Sequence, residues 1–198
     1  MNNLIGIVNY GIAGNIHSIK KAIEKAGGDV IIINQPEQFD QVDKIILPGV
    51  GSFKDAMEEL KNDGFLDTLK LNKKPILGIC LGMQILSTIG YEYGKTQGLN
   101  LIQAEVKPIQ VDAKVPHVGF NTIQIVNKNQ LLNDVENEEF YFMHSYEVVN
   151  YVNISALTVY ANHQFVSAIQ KDNIYGVQFH PEKSREAGIK IFKNFIEL

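Results

Sequence analysis

One cysteine, Cys80, stands in a chain of 198 residues, and tryptophan is absent altogether. A lone thiol excludes an internal disulfide and any metal site built on a cysteine cluster. No apolar run approaches the roughly 18 residues that a membrane span needs. The opening Met1-Asn2-Asn3-Leu4-Ile5 carries no basic stretch and no cleavable signal pattern, so a cytoplasmic protein is expected. An excess of either charge is missing too: 18 Lys and Arg stand against 22 Asp and Glu, for a net charge of −4. That mild acidity argues against a nucleic-acid partner, which would call for a basic face. What the chain does have is 45% hydrophobic and 20% charged residues, close to the average folded protein. At this length it can bury roughly 70% of its unfolded surface and needs no staple.

The first half alternates short apolar runs with amphipathic segments. Leu4 to Val8, Val30 to Ile33, Ile45 to Leu47 and Pro75 to Ile79 read as buried strands. Between them, Ile16, Ile19, Ile23 and Ala26 recur at helical spacing, closed by Gly27-Gly28. Phe53, Met57 and Leu60 form a second stripe with Ser52 as its cap, and Leu81 to Ile89 is a further periodic segment. Strands buried on both faces and alternating with helices predict a mostly parallel sheet flanked by helices. The second half carries strand-like stretches at Thr122 to Val126 and Phe140 to Met143, separated by turns such as Asn127-Lys128-Asn129. They predict antiparallel or mixed strands added to the parallel half. Ile189, Phe192, Phe195 and Ile196 close the chain as a helix. Without a repeat or linker, one domain over residues 1–198 is expected.

Cys80 lies in Gly78-Ile79-Cys80-Leu81-Gly82, after a predicted strand and before a predicted helix. Small residues on both flanks suit a sharp turn that presents one side chain at its apex, the logic of a nucleophile elbow with a thiol. Backbone N–H groups at a helix start favour a thiolate, and the amide of Leu81 would face a developing oxyanion. A buried structural cysteine is the commoner fate of a lone thiol, and this pattern alone leaves both readings open.

A thiol nucleophile needs a base. Of His17, His117, His144, His163 and His180, the last ends an apolar strand in Gly176-Val177-Gln178-Phe179-His180-Pro181-Glu182. In extended chain, residues i and i+2 share a side, so Glu182 would reach the imidazole and fix its tautomer. An ordinary strand-end histidine beside a surface glutamate stays open as well. A third feature is Leu47-Pro48-Gly49-Val50-Gly51-Ser52-Phe53, at the carboxyl end of a predicted parallel strand, where ligands of open α/β sheets bind. Its two glycines allow the backbone to offer amides to an anion or to flip a peptide.

Leu47 to Phe53, Gly78 to Gln84 and Gly176 to Ser184, in this order and spacing, resemble the class I glutamine amidotransferases. Three further segments resemble the branch whose glutaminase subunits serve histidine biosynthesis. They are Asn9 to Asn15, Val115 to Asn121, and Tyr141 to Tyr146. The resemblance spans the whole chain. It implies a flavodoxin-like α/β fold, with Cys80 as nucleophile toward L-glutamine, His180 as general base and then acid, and Glu182 as its orienter. It implies an oxyanion hole from the backbone of Leu81 with an amide of the turn at Val50 and Gly51. It puts Gln84, His144, Ser145 and Tyr146 near bound glutamine, and Asn15 and Lys183 at a partner interface. The implied partner is a (β/α)₈-barrel cyclase in a heterodimer, which would use the ammonia to make imidazole glycerol phosphate and an aminoimidazole carboxamide ribonucleotide. No cofactor, metal, nucleic acid or membrane is implied. Phe120 stands where this branch usually has Trp, and Asn9 where it has an acid. The first departure is the one feature favouring an alternative: a paralogous subunit supplying ammonia to a sugar amidation enzyme of surface-glycan synthesis.

Overall fold

In a computed structural model, which describes residues 3–11 and 14–198, the apolar runs of the first half become four adjacent strands at one end of a large sheet. The first half runs β1 (Leu4–Val8), α1 (Ile16–Lys25), β2 (Asp29–Ile33), β3 (Lys44–Leu47), α2 (Phe53–Asn62), α3 (Phe65–Leu71), β4 (Ile76–Ile79) and α4 (Leu81–Ile85). The second half adds the short strands β5 (Ile89–Gly90), β6 (Thr96–Gln97) and β7 (Glu105–Pro108), then β8 (His117–Thr122) and β9 (Gln124–Ile125). It continues with β10 (Glu139–His144), β11 (Tyr146–Val149), β12 (Ile154–Tyr160), β13 (His163–Lys171), β14 (Ile174–Val177) and α5 (Arg185–Glu197).

The main sheet has eight strands in the order β2-β1-β3-β4-β14-β13-β12-β9. From β2 to β14 every neighbour is parallel, and from β14 to β9 every neighbour is antiparallel. The parallel part follows the doubly wound order 2-1-3-4-5, with β14 as its fifth strand. The expected mixture of parallel and antiparallel halves is therefore present in one continuous sheet. Alternate residues of each parallel strand serve opposite layers, as the pleat requires. Ile45 and Leu47 face the layer of α2 and α3 with Phe53, Leu60 and Phe65. Ile46 faces the layer of α1 and α5 with Ile19, Ile23, Phe192 and Phe195. Ile191, Phe192 and Phe195 are fully buried. At about 1.5–3 kcal/mol each, they make α5 part of the core rather than an appendage.

Two small sheets sit beside this frame: a ribbon of β8 with β10, and a four-stranded sheet β11-β7-β5-β6. They carry His117, His144 and Tyr146 toward the carboxyl ends of β4 and β14. Ser52 caps α2 as expected, accepting from the Asp55 amide at 3.1 Å. The periodic segment from Leu81 to Ile89 is helical only to Ile85; Ile89 enters a strand, because the Leu86–Ile102 region folds back onto the helix end through bonds such as Leu99 N to Ile85 O. The stretch Thr122 to Val126 likewise divides at Ile123, where the chain leaves β10 and pairs with β12. Among the described residues no helix is long and apolar enough to cross a membrane.

Candidate active site

Cys80 occupies the sharp turn between β4 and α4, with φ 54° and ψ −111°. A positive φ costs a residue with a Cβ about 1–3 kcal/mol, so the surrounding structure must hold it. It does so on both sides: the Cys80 amide donates to Val177 O at 2.8 Å, and its carbonyl accepts from the Gln84 amide at 3.2 Å. Gly82 is what lets α4 start so close to the sheet, because a Cβ there would collide with the Leu47 carbonyl. With only five residues, α4 contributes little as a dipole. Its effect on the thiol is local, through the unpaired first-turn amides, of which that of Leu81 comes first.

His180 follows β14, and its Nδ1 lies 2.9 Å from Glu182 Oε1; the two side chains are 1% and 0% exposed. The pairing agrees with the spacing, but not for the reason of an extended chain. Pro181–Lys183 is a 3₁₀ turn, and it is this turn that folds Glu182 back under the imidazole. Ser184 Oγ locks the turn by donating to the His180 carbonyl at 2.6 Å. His180 Nε2 is buried and, among the described residues, meets no nitrogen or oxygen partner; it faces the Cys80 thiol instead. Burial is the largest single influence on the ring and lowers its pKa. The hydrogen bonding and charge of Cys80 and Glu182 together outweigh it and push the pKa up to about 10. His180 therefore keeps its proton through neutral pH.

Cys80 and His180 line one cleft of about 230 Å³, together with Val50, Gly51, Leu81, Gln84, His144, Ser145 and Tyr146. That is room for roughly eight waters, the scale of one free amino acid. The turn Pro48-Gly49-Val50-Gly51 forms one wall. The buried Tyr10 hydroxyl anchors it by donating to the Pro48 carbonyl at 2.6 Å, while Gly51, at φ 96°, is exposed. Gln84 uses its Nε2 twice, toward the Tyr146 carbonyl at 2.9 Å and Gln178 Oε1 at 3.0 Å. Both its protons are thus engaged, and Oε1 alone is left to meet a ligand, as an acceptor.

Two residues expected at an interface lie elsewhere than in the cleft. Lys183 Nζ sits 5.6 Å above the Tyr141 ring, on the ribbon of β8 and β10. Asn15 directs its Nδ2 at Glu182 Oε1, 3.3 Å away, from a left-handed turn before α1. Of the segment Asn9 to Asn15, Ile12 and Ala13 lie outside the described residues.

The cleft also contains residues that sequence reasoning passed over. Glu92 lines it, its Oε2 capping the Phe53 amide at 2.7 Å, and burial raises its carboxyl pKa. Nothing in Tyr91-Glu92-Tyr93 marks it out, since the chain brings it there only through the short β5 strand. Met143 contributes its carbonyl, 3.8 Å from Cys80 Sγ. His117 Nδ1 lies 3.3 Å from His144 Nε2 behind the cleft. Gln178, inside the Gly176 to Glu182 motif, places Nε2 3.6 Å from the sulfur.

A thiol at a strained turn, an imidazolium held by a carboxylate and free amides across a cleft can attack a carboxamide carbonyl and protonate its nitrogen. The sequence model of the glutamine amidotransferase class-I family matches residues 7–198, and the chain belongs to that family. It is 43% identical over 202 residues to the imidazole glycerol phosphate synthase subunit HisH 1 of Campylobacter jejuni, covering 98% of this chain and 100% of that one. It is 46% identical over 203 residues to the imidazole glycerol phosphate synthase subunit HisH 2 of Methanococcus maripaludis, covering 98% and 99%. The solved structure of PurLQS from Thermotoga maritima has the same fold, with a TM-score of 0.76 at 18% identity over 100% of this chain and 99% of that one.

Proposed function

We propose that the chain is the glutaminase subunit of an imidazole glycerol phosphate synthase, hydrolysing L-glutamine to glutamate and ammonia for histidine biosynthesis. The observation that carries the reading is Cys80 at its elbow, lining the same cleft as the Glu182-held His180. Full-length identity of 43–46% to subunits named for this synthase supports the pathway over a sugar acceptor.

Cys80 enters the reaction as the thiolate, its proton already held on His180, and adds to the side-chain carbonyl of glutamine. The oxygen of the tetrahedral intermediate takes its charge against the Leu81 amide and an amide of the Val50-Gly51 peptide. Collapse breaks the C–N bond, and His180 gives its proton to the nitrogen, which leaves as ammonia. Water then adds to the glutamyl thioester, His180 takes its proton, and the C–S bond breaks to release glutamate. Throughout, Glu182 holds His180 by Nδ1 and offsets its positive charge. The ammonium of glutamine finds two acceptors, the free Gln84 Oε1 and the Glu92 carboxylate, and backbone amides of the Ser145-Tyr146 segment suit its carboxylate.

The partner would be a (β/α)₈-barrel cyclase seated in the cytoplasm over the carboxyl edge of the parallel strands, where Cys80 opens. The surface there supports this. Val118, Phe120 and Met143 are exposed on the ribbon of β8 and β10. Arg185 lies 4.3 Å over the Phe120 ring, beside Lys183 over Tyr141. An apolar patch ringed by cations suits a partner with an acidic rim. The test is glutamine hydrolysis by the purified chain alone, with the cyclase, and with the cyclase plus its ribonucleotide ligand. Ammonia release that rises with each addition supports the reading. No turnover under any of the three conditions contradicts it.

A further inference from the structure

One buried polar side chain on the thiol has no part in these steps. Gln178 has no solvent exposure, two residues before His180. Its Nε2 meets Cys80 Sγ at 3.6 Å, and its Oε1 accepts from Gln84 Nε2 at 3.0 Å. The orientation of both carboxamides follows from one fixed point. The Tyr146 carbonyl can only accept, so the Gln84 group 2.9 Å from it is the NH₂. The second proton of that NH₂ requires an oxygen on Gln178, which turns the Gln178 NH₂ onto the sulfur.

We propose that Gln178 is a catalytic residue whose carboxamide N–H stabilises the Cys80 thiolate and keeps the sulfur aimed into the cleft, with Gln84 as the positioning residue behind it. The inference rests on reading Cys80 as the glutaminase nucleophile.

The sulfur has two neutral polar neighbours with opposite preferences. The Met143 carbonyl, 3.8 Å away, accepts from S–H and so favours the thiol. The Gln178 N–H donates, and so favours the thiolate. A hydrogen bond to an ionised acceptor is about twice as strong as one to a neutral acceptor. With Cys80 only 7% exposed, little water is at hand to replace a lost donor. Removing the Gln178 donor leaves the Met143 carbonyl facing the sulfur and tips the balance toward the uncharged form. The chain Tyr146–Gln84–Gln178–Cys80 also runs from the substrate cleft to the nucleophile, so a ligand that orders Tyr146 orders the donor on the sulfur.

Because Cys80 is the only cysteine, iodoacetamide reports on this thiol alone. The rate of alkylation is measured against pH for the wild type, Gln178→Leu and Gln178→Glu. The midpoint is expected to rise by about one pH unit in Gln178→Leu, a tenfold loss of thiolate below it. It is expected to rise further in Gln178→Glu, whose ionised carboxylate cannot donate and repels the sulfur. In both, kcat for glutamine should fall more than KM rises. A residue that merely spaces Gln84 would raise KM and leave the midpoint alone, and an unmoved midpoint in folded Gln178→Leu overturns the proposal. Should neither variant fold, the wild-type chain still answers. The Gln178 side-chain ¹⁵N–¹H signal should titrate with the alkylation midpoint and shift when Cys80 is alkylated. A signal indifferent to both overturns it. Neither readout depends on glutamine turnover. Turnover by Cys80→Ala would instead count against the glutaminase reading itself.

Discussion

His117 Nδ1 and His144 Nε2 lie 3.3 Å apart, and the proton between them belongs to His117. The assignment follows from the far side of His144, where Nδ1 is 2.9 Å from the Tyr146 carbonyl and must donate. A neutral His144 then accepts at Nε2. His117 donates from Nδ1 and is left to accept at Nε2, where Asn121 Nδ2 stands at 3.5 Å. Every link runs toward Tyr146, at the wall of the cleft.

Protonating His144 would set two N–H groups against each other, in a place from which water is excluded. Burial first, then the nearby His117 and His180, lower its pKa to about 4, against the lift from the Tyr146 carbonyl. The unfolded chain takes up this proton near pH 6.5, and the folded chain refuses it down to about 4. The unfolded state thus binds more protons across that window, and stability falls as pH falls through it. Melting temperature measured from pH 7 to 4 should drop more steeply for the wild type than for His144→Gln. Glu147, whose carboxyl pKa burial raises, is present in both and cancels in the difference. Parallel curves would contradict the assignment.

His180 has the opposite sign. Its proton is held up to about pH 10, so the stability it contributes is complete below about 6.5 and is lost as pH rises toward 10. Glu182→Gln keeps an acceptor for Nδ1 but removes the charge. The alkaline limb of the glutaminase profile should move to lower pH in this variant, and its rate should fall less than that of His180→Asn. An equal or larger loss in Glu182→Gln would mean that Glu182 does more than orient the ring.

Gly82→Ala tests the elbow. The added methyl collides with the Leu47 carbonyl, on backbone at both sides, so α4 must move away from β3. Forced overpacking costs about 1–3 kcal/mol, read as a lower denaturant midpoint. Glutamine turnover should drop by far more than the fraction unfolded explains, because Cys80 moves with the helix. Unchanged stability and activity together would show that the approach of α4 to β3 does not hold the site.

The turn Pro48-Gly49-Val50-Gly51 joins this cleft to the expected partner face. One oxyanion donor is worth about 10²–10³ in rate. The free chain should therefore be a poor glutaminase whose rate the liganded cyclase raises by about that factor, through reorientation of the Val50-Gly51 peptide. Full turnover by the isolated chain would remove the need for a switch. Lys183→Ala, compared with Lys61→Ala on α2, should weaken cyclase binding and stimulation; equal behaviour would remove Lys183 from the interface.

Most of the parallel half was legible because each of its strands is short, apolar and bounded by turn residues, and α1 and α2 keep a clean stripe; α3 was not read. Cys80, His180 and Glu182 were legible for a related reason: each sits in a local pattern of small or stiff residues whose geometry is set within a few positions. Gln178, His117 and Glu92 were not. Their roles come from pairings across the chain, Gln178 with Gln84 and Cys80 over 94 and 98 residues, and His117 with His144 over 27. The contact of Asn15 with Glu182, over 167 residues, was not legible either. The helix expected over Leu81 to Ile89 failed at Leu86 because tertiary bonds from Leu99 and Leu101 take its last carbonyls.

The most direct test of the account is the fate of Cys80 during turnover. The wild-type chain with its cyclase and ribonucleotide ligand is given glutamine, quenched in acid within the first turnovers, and weighed intact by mass spectrometry. One glutamyl adduct should appear on the wild-type chain, and Cys80→Ala should show neither adduct nor ammonia release. Ammonia release by folded Cys80→Ala at more than about a tenth of the wild-type rate would contradict covalent catalysis by this thiol, since losing the nucleophile removes the whole path and not one hydrogen bond.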